Sequence, residues 1–177
     1  MHSKMNIDWE KIGLAVGSIH LEDKLSTESG GTHMAWKAVE LILGEETIHQ
    51  MVKFILDVPP GTGKGSEIAM QILKLIHSEV AAKEAYRIYK NSSGQLKADA
   101  VYLIKHIASP ASLPWVEEFL QDKDVAVWGI GVLDQLLWGN LIEPEAAKVL
   151  LKMAESHTIE NVREQAQFIK EYLANRK

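Results

Sequence analysis

Apolar residues along this chain return every three or four positions, the spacing that keeps one face of an α-helix out of water. The clearest stretch is NVREQAQFIKEYL (161–173), with Val162, Ala166, Ile169 and Leu173 on one line. DVAVWGIGVLDQLL repeats the line at Val125, Gly129, Val132 and Leu136, and QLKADAVYLIKHIA at Leu96, Ala100, Leu103 and Ile107. SEIAMQILKLI offers Ile68, Ile72 and Leu75, and THMAWKAVELIL offers Met34, Ala38 and Leu41. Aligned on Ala38, Ile72, Ala100, Gly129 and Ala166, the five segments step by 34, 28, 29 and 37 residues. Two helices of about a dozen residues with their turns fill such an interval, which is the period of stacked helical hairpins.

The stretches between supply the partner helices: DWEKIGLAVGSI, EETIHQMVKFIL, EVAAKEAYRIYK, LPWVEEFLQ and EPEAAKVLLKMA. Turn residues fall where hairpin connections belong, at SGG (29–31), PPGTG (59–63), NSSG (91–94), SPASLP (109–114) and WGNL (138–141). Glu143-Pro144-Glu145 reads as a helix opening, because proline suits the first turn and carboxylates suit its dipole. Leu113-Pro114 and Asp122–Asp124 also stand at expected helix starts, and Ser66 is placed to cap the helix that follows the PPGTG connection.

DKDVAVWGIGVLDQLL and TIENVREQAQFIKEYL resemble the second helix of HEAT-type repeats, in which a polar cap precedes valine, then a small residue, then leucine. The resemblance is good over about 95–175 and looser over 8–90. It departs from the family pattern in repeat length and in the arginine after valine, present only at Val162-Arg163. It implies an all-α fold, a right-handed α-solenoid of about five HEAT-like antiparallel helical hairpins. Residues 1–177 would form a single domain with the first and last repeats as caps and 1–7 disordered.

The composition narrows the function classes. At 177 residues, 46% apolar and 24% charged, the chain suits one globular domain. A net charge of −5 gives no general pull toward nucleic acid or anionic lipid. There is no cysteine, which excludes disulfides, thiolate ligands and thiol nucleophiles and suits a cytoplasmic location. No N-terminal run is long and apolar enough for a signal peptide or a membrane span.

VPPGTGKGS (58–66) is spelled like a phosphate-binding loop, G-x-x-x-x-G-K-[ST]. Gly63 and Lys64 fit, but Val58 stands at the first glycine and Gly65 at the hydroxyl that would hold magnesium. Phosphate binding through Gly63 and Lys64 is therefore disfavoured, and the stretch reads as an inter-helix connection. The seven histidines are scattered, and Glu46-x-x-His49 has no second copy to complete a metal site. No serine stands in a nucleophile-elbow context, and adjacent carboxylates such as Glu117-Glu118 point about 100° apart on a helix. Neither a catalytic residue nor a cofactor is expected.

Aromatic residues carry the functional signal. In the aligned second helices, the positions just before and two after the central residue should turn away from the core. Trp128, Tyr102 and Phe168 occupy them where polar residues are expected, with Tyr172 one turn beyond and Asp99 and Gln165 in the same columns. Exposed aromatics of this kind anchor protein interfaces, although packing between repeats is the competing role. Trp36, Trp115 and Trp138 are expected in the core. Asp99, Asp134, Glu164 and Glu171 give such a face an acidic tint that suits a basic protein partner.

The leading expectation is thus a non-enzymatic interaction module, of the adaptor, regulator or immunity type found in small bacterial proteins. The HEAT resemblance also implies two alternatives. One is a DNA-binding, alkylpurine-glycosylase-like protein, with Trp128 and Asp99 or Asp134 at the lesion. The other is a tetrapyrrole lyase or chaperone using the same groove.

Overall fold

The computed structural model describes residues 32–58 and 64–175. The expected helix at 8–19, the expected disordered stretch 1–7 and Gly63 lie outside the described residues. Among those described are α1 (Thr32–Leu43), α2 (Glu45–Asp57), α3 (Lys64–Leu75), α4 (Glu79–Asn91) and α5 (Gly94–Ile107). A 3-10 segment (Pro110–Trp115) leads into α6 (Val116–Gln121), followed by α7 (Ala126–Trp138), α8 (Pro144–Glu155) and α9 (Glu160–Ala174). The described part is all-α, and its helices coincide with the periodic segments of the sequence.

Each helix packs on its neighbour in the chain: α2 on α3, α4 on α5, α6 on α7, and α8 on α9. Helices two apart also touch. One row runs α3, α5, α7, α9, and the other runs α2, α4, the 3-10 segment with α6, then α8. The core lies between the rows, where Leu73, Ile104, Phe119, Leu133, Leu136 and Ile169 are completely buried.

Local chemistry sets the joints. Ser78 caps α4 by accepting from the Ala81 N–H at 3.0 Å, and its own hydroxyl donates to Glu40 at 2.7 Å. Glu40 also accepts from the Val80 N–H at 2.9 Å and from Lys37 Nζ at 3.1 Å, so one buried carboxylate fastens α1 to the start of α4. Pro144 opens α8 as expected. Gly129 lets α7 and α6 approach closely, since a Cβ there would stand 2.6 Å from the Phe119 Cβ.

Three expectations are corrected. In α3 the buried line is Ala69 and Leu73, continued by Ile76 just past the helix end, while Ile68, Ile72 and Leu75 face outward. The helix is turned by about one residue from the expected register, because its apolar residues are nearly continuous and the 3–4 spacing fits two faces. Ser66 is no cap: α3 begins at Lys64, which makes Ser66 its third residue, and it is buried. Trp138 is 62% exposed, because it is the last residue of α7, beyond the buried turn of Leu136 and Leu137.

Candidate functional site

The register of α3 changes what the α3–α5–α7–α9 row presents. With Leu73 as the central buried residue, the two columns hold Ile72, Asp99, Trp128 and Gln165, then Leu75, Tyr102, Gly131 and Phe168. All face outward except Gly131, which is buried under the Lys105 stem. Apolar and aromatic groups thus run along all four helices. Ile68 is 61% exposed, Leu75 70% and Phe168 52%.

Two grooves cross this face. One, of about 810 Å³, lies between α3 and α5, with Ile68, Ile72, Leu75, Asp99 and Tyr102 on its walls and Ile55 and Leu56 of α2 behind them. The other, of about 530 Å³, lies between α7 and α9, lined by Trp128, Gly131, Asp134, Gln165 and Phe168, with Lys105 entering from α5. Tyr102 joins the two, its ring edge-on to Trp128 at 5.1 Å and against His106 at 4.3 Å.

The electrostatics of the second groove centre on Lys105 and Asp134. The Lys105 ammonium stands 5.5 Å from the centre of the Trp128 ring, a cation–π distance. Its stem passes over Gly131, where an added Cβ would meet Cδ at 3.0 Å. Asp134 Oδ1 is buried without a hydrogen-bond partner. Burial raises the Asp134 carboxyl above its ordinary range, against the opposing pull of Lys105 and of Gln135. His106 is pushed below its usual value by burial first, then by the charges of Lys105 and Lys74, which favours the neutral ring at pH 7.

Of the residues singled out in the sequence, Asp99 and Tyr102 line the first groove and Trp128, Gln165 and Phe168 the second. Asp99 accepts from Gln95 at 2.8 Å. Tyr172 stands apart: its half-buried ring packs edge-on against Trp138 at 5.6 Å and tilted against Phe168 at 5.9 Å, so it supports Phe168 from behind. Lys64 opens α3. Sequence reasoning missed Lys105, Ile72 and Leu75 as members of the face. The signal for Lys105 was present, since it lies one turn beyond Tyr102 and opposite a helical glycine.

A polar cluster on the opposite row is structural. Tyr86 of α4 donates to Glu118 at 2.5 Å and stacks on Trp115 at 4.3 Å, while Tyr89 donates to Asp122 at 3.0 Å. Lys90 and Lys97 complete the ion pairs with Glu118 and Asp122. Burial, then Glu118, pushes the Tyr86 hydroxyl up to about 12. Burial also pushes both carboxyls upward, but the bonds from Lys90 and Tyr86 to Glu118, and from Lys97 and Tyr89 to Asp122, outweigh it and hold both below their ordinary values. Their contribution to stability is complete above the ordinary carboxylate values of about 4 and is lost as the pH falls through the lowered folded values. Acid titration followed by helical circular dichroism should accordingly show a wild-type loss in that window that is smaller in Glu118→Gln/Asp122→Asn. An unchanged acid profile in that variant would remove the cluster from the account.

Two histidines also serve as joints. His77 Nδ1–H donates to the carbonyls of Ile107 and Ala108 at 3.0 Å, closing the end of α5. His157 Nε2–H donates to the Leu120 carbonyl at 2.8 Å while its Nδ1 accepts from the Ile159 N–H. Glu46 accepts from Gln50, and no group of three or more potential metal ligands gathers among the described residues. None of the described helices is long and apolar enough to cross a membrane. No protein-family model matches the chain, and no curated protein or solved structure matches it.

Proposed function

We propose that this chain is a non-enzymatic interaction module, built as a short right-handed HEAT-like solenoid, that docks a basic protein partner along the face of α3, α5, α7 and α9. The two-row packing supports the solenoid reading, because each helix pair buries its apolar stripe only against its neighbours and leaves an extended surface. One observation carries the functional reading: Ile72, Leu75, Tyr102, Trp128 and Phe168 share two outward columns across four helices. Burying such groups against a partner supplies hot-spot energy that solvent exposure forgoes. Glu67, Asp99, Asp134 and Glu164 line the same grooves and favour a partner with basic side chains.

The test compares affinity capture from the source organism by the wild type, by Ile72→Ala/Phe168→Ala and by Val149→Asp. Val149 is 71% exposed on α8, in the other row, and serves as the control. One protein retained by the wild type and Val149→Asp, and lost from the double variant at unchanged melting temperature, is the expected result. Equal capture by all three would sink the proposal.

A DNA-directed reading draws on Trp128 and Asp134 sharing one groove with Lys105. Two carboxylates facing a single ammonium weigh against phosphate there. Fluorescence anisotropy with duplex DNA at low salt separates the two readings, with no saturable binding expected.

A further inference from the structure

We infer that the groove between α7 and α9 is an arginine subsite, in which a guanidinium from the protein partner lies between Trp128 and Phe168 and pairs with Asp134. The inference rests on the interaction face proposed above and specifies the chemistry of one part of it.

Asp134 is placed against its own interest. Its Oδ1 is buried and accepts no hydrogen bond, and the carboxyl titrates high because burial disfavours its charge. Lys105 attracts it through space and Gln135 offers a side-chain bond, yet burial outweighs both. A charge kept in such a position costs stability, and a cation brought beside it through the groove that Asp134 lines offsets part of that cost.

The surroundings favour guanidinium over other donors. The flanking walls are Trp128 and Phe168, and a planar, weakly hydrated cation stacks on aromatic rings while its fork bonds a carboxylate through two N–H groups. Glu164, on the groove wall, adds a second carboxylate, so Lys105 leaves one negative charge uncompensated. The volume of about 530 Å³ accommodates a side chain with its backbone at the rim. A lysine ammonium would feel the same Lys105 repulsion without the stacking or the fork.

The probe is N-acetyl-L-arginine N-methylamide, titrated into the full ¹⁵N-labelled chain. Saturable shifts are expected at the amides of Gly131, Asp134 and Gln165 and at the Trp128 indole N–H. They should be about tenfold weaker in Asp134→Asn, and about fivefold weaker with the lysine analogue. Asp134→Asn should melt no lower than the wild type at pH 7, because the amide keeps the shape of the side chain without a charge for burial to disfavour. Absence of a saturable shift, equal binding of arginine and lysine analogues, or a clear loss of stability in Asp134→Asn would each overturn the subsite. If Asp134→Asn still captures the partner while Ile72→Ala/Phe168→Ala does not, the subsite fails and the face stands. If capture survives both, the face itself fails.

Discussion

Phe119→Ala should cost about 3–5 kcal/mol of stability and lower the melting temperature by roughly 10 °C. Phe119 is completely buried in α6, its ring edge-on to Tyr89 at 5.0 Å and to Tyr86 at 6.0 Å, with α7 crossing at its Cβ. The site joins three helices through one side chain. The short α6 supplies few other contacts with which to close the cavity, so the loss falls toward the upper end of that range. Phe119→Leu keeps most of the volume and should lose about 1 kcal/mol. Thermal unfolding by circular dichroism measures both, and near-equal melting of wild type and Phe119→Ala would mean that α6 is not held as described.

The second large effect is steric and has an opposite-signed control two residues away. In Gly129→Ala the new methyl would meet Phe119 Cβ at 2.6 Å, Phe119 C at 3.2 Å and Leu120 N at 3.4 Å. Backbone cannot swing aside, so α6 must shift away from α7. Overpacking of this kind costs about 1–3 kcal/mol and exceeds the gain of about 1 kcal/mol from alanine's helix propensity. Gly131→Ala meets only the flexible Lys105 stem, at 3.0 Å, and should be neutral or stabilising while displacing Lys105 from Trp128. Phe119→Ala keeps the Cβ and the backbone that the methyl meets and so does not relieve the clash, whereas Phe119→Gly removes the nearest of the three atoms. Gly129→Ala should therefore cost less in a Phe119→Gly background than in a Phe119→Ala one. Equal costs in the two backgrounds would contradict the close approach.

Helix positions were legible in the sequence where polar residues break the apolar pattern. In α5, α7 and α9 most of the line the spacing indicates is buried: at Ala100, Leu103 and Ile107, at Val125 (just before α7), Gly129, Val132 and Leu136, and at Val162, Ala166 and Ile169. Leu96 in the first turn of α5, by contrast, is 43% exposed, and Leu173 in the last turn of α9 is half-buried. In α3 the run from Ile68 to Ile76 offers only Gln71 and Lys74 as markers, too few to decide the register. Packing of α3 on α2 and α5 decides it in favour of Ala69 and Leu73. That one-residue turn moved Ile72 and Leu75 from the expected core to the candidate face. The role of Trp138 was equally hidden, since exposure at a helix end depends on where the neighbouring helices stop. Trp128 and Phe168 were legible because they interrupt polar columns. Lys105 and the buried oxygen of Asp134 were not, because their meaning lies in a groove between helices that only packing creates.

The central claim is that the partner meets the face of α3, α5, α7 and α9. The most direct measurement places a photo-reactive benzoylphenylalanine at position 72, 168 or 149 of the full chain and irradiates it in the source organism. The account predicts a covalent adduct with one and the same protein from positions 72 and 168, and none from 149. An adduct from 149 with none from 72 or 168 would put the binding surface on the other row and contradict the account.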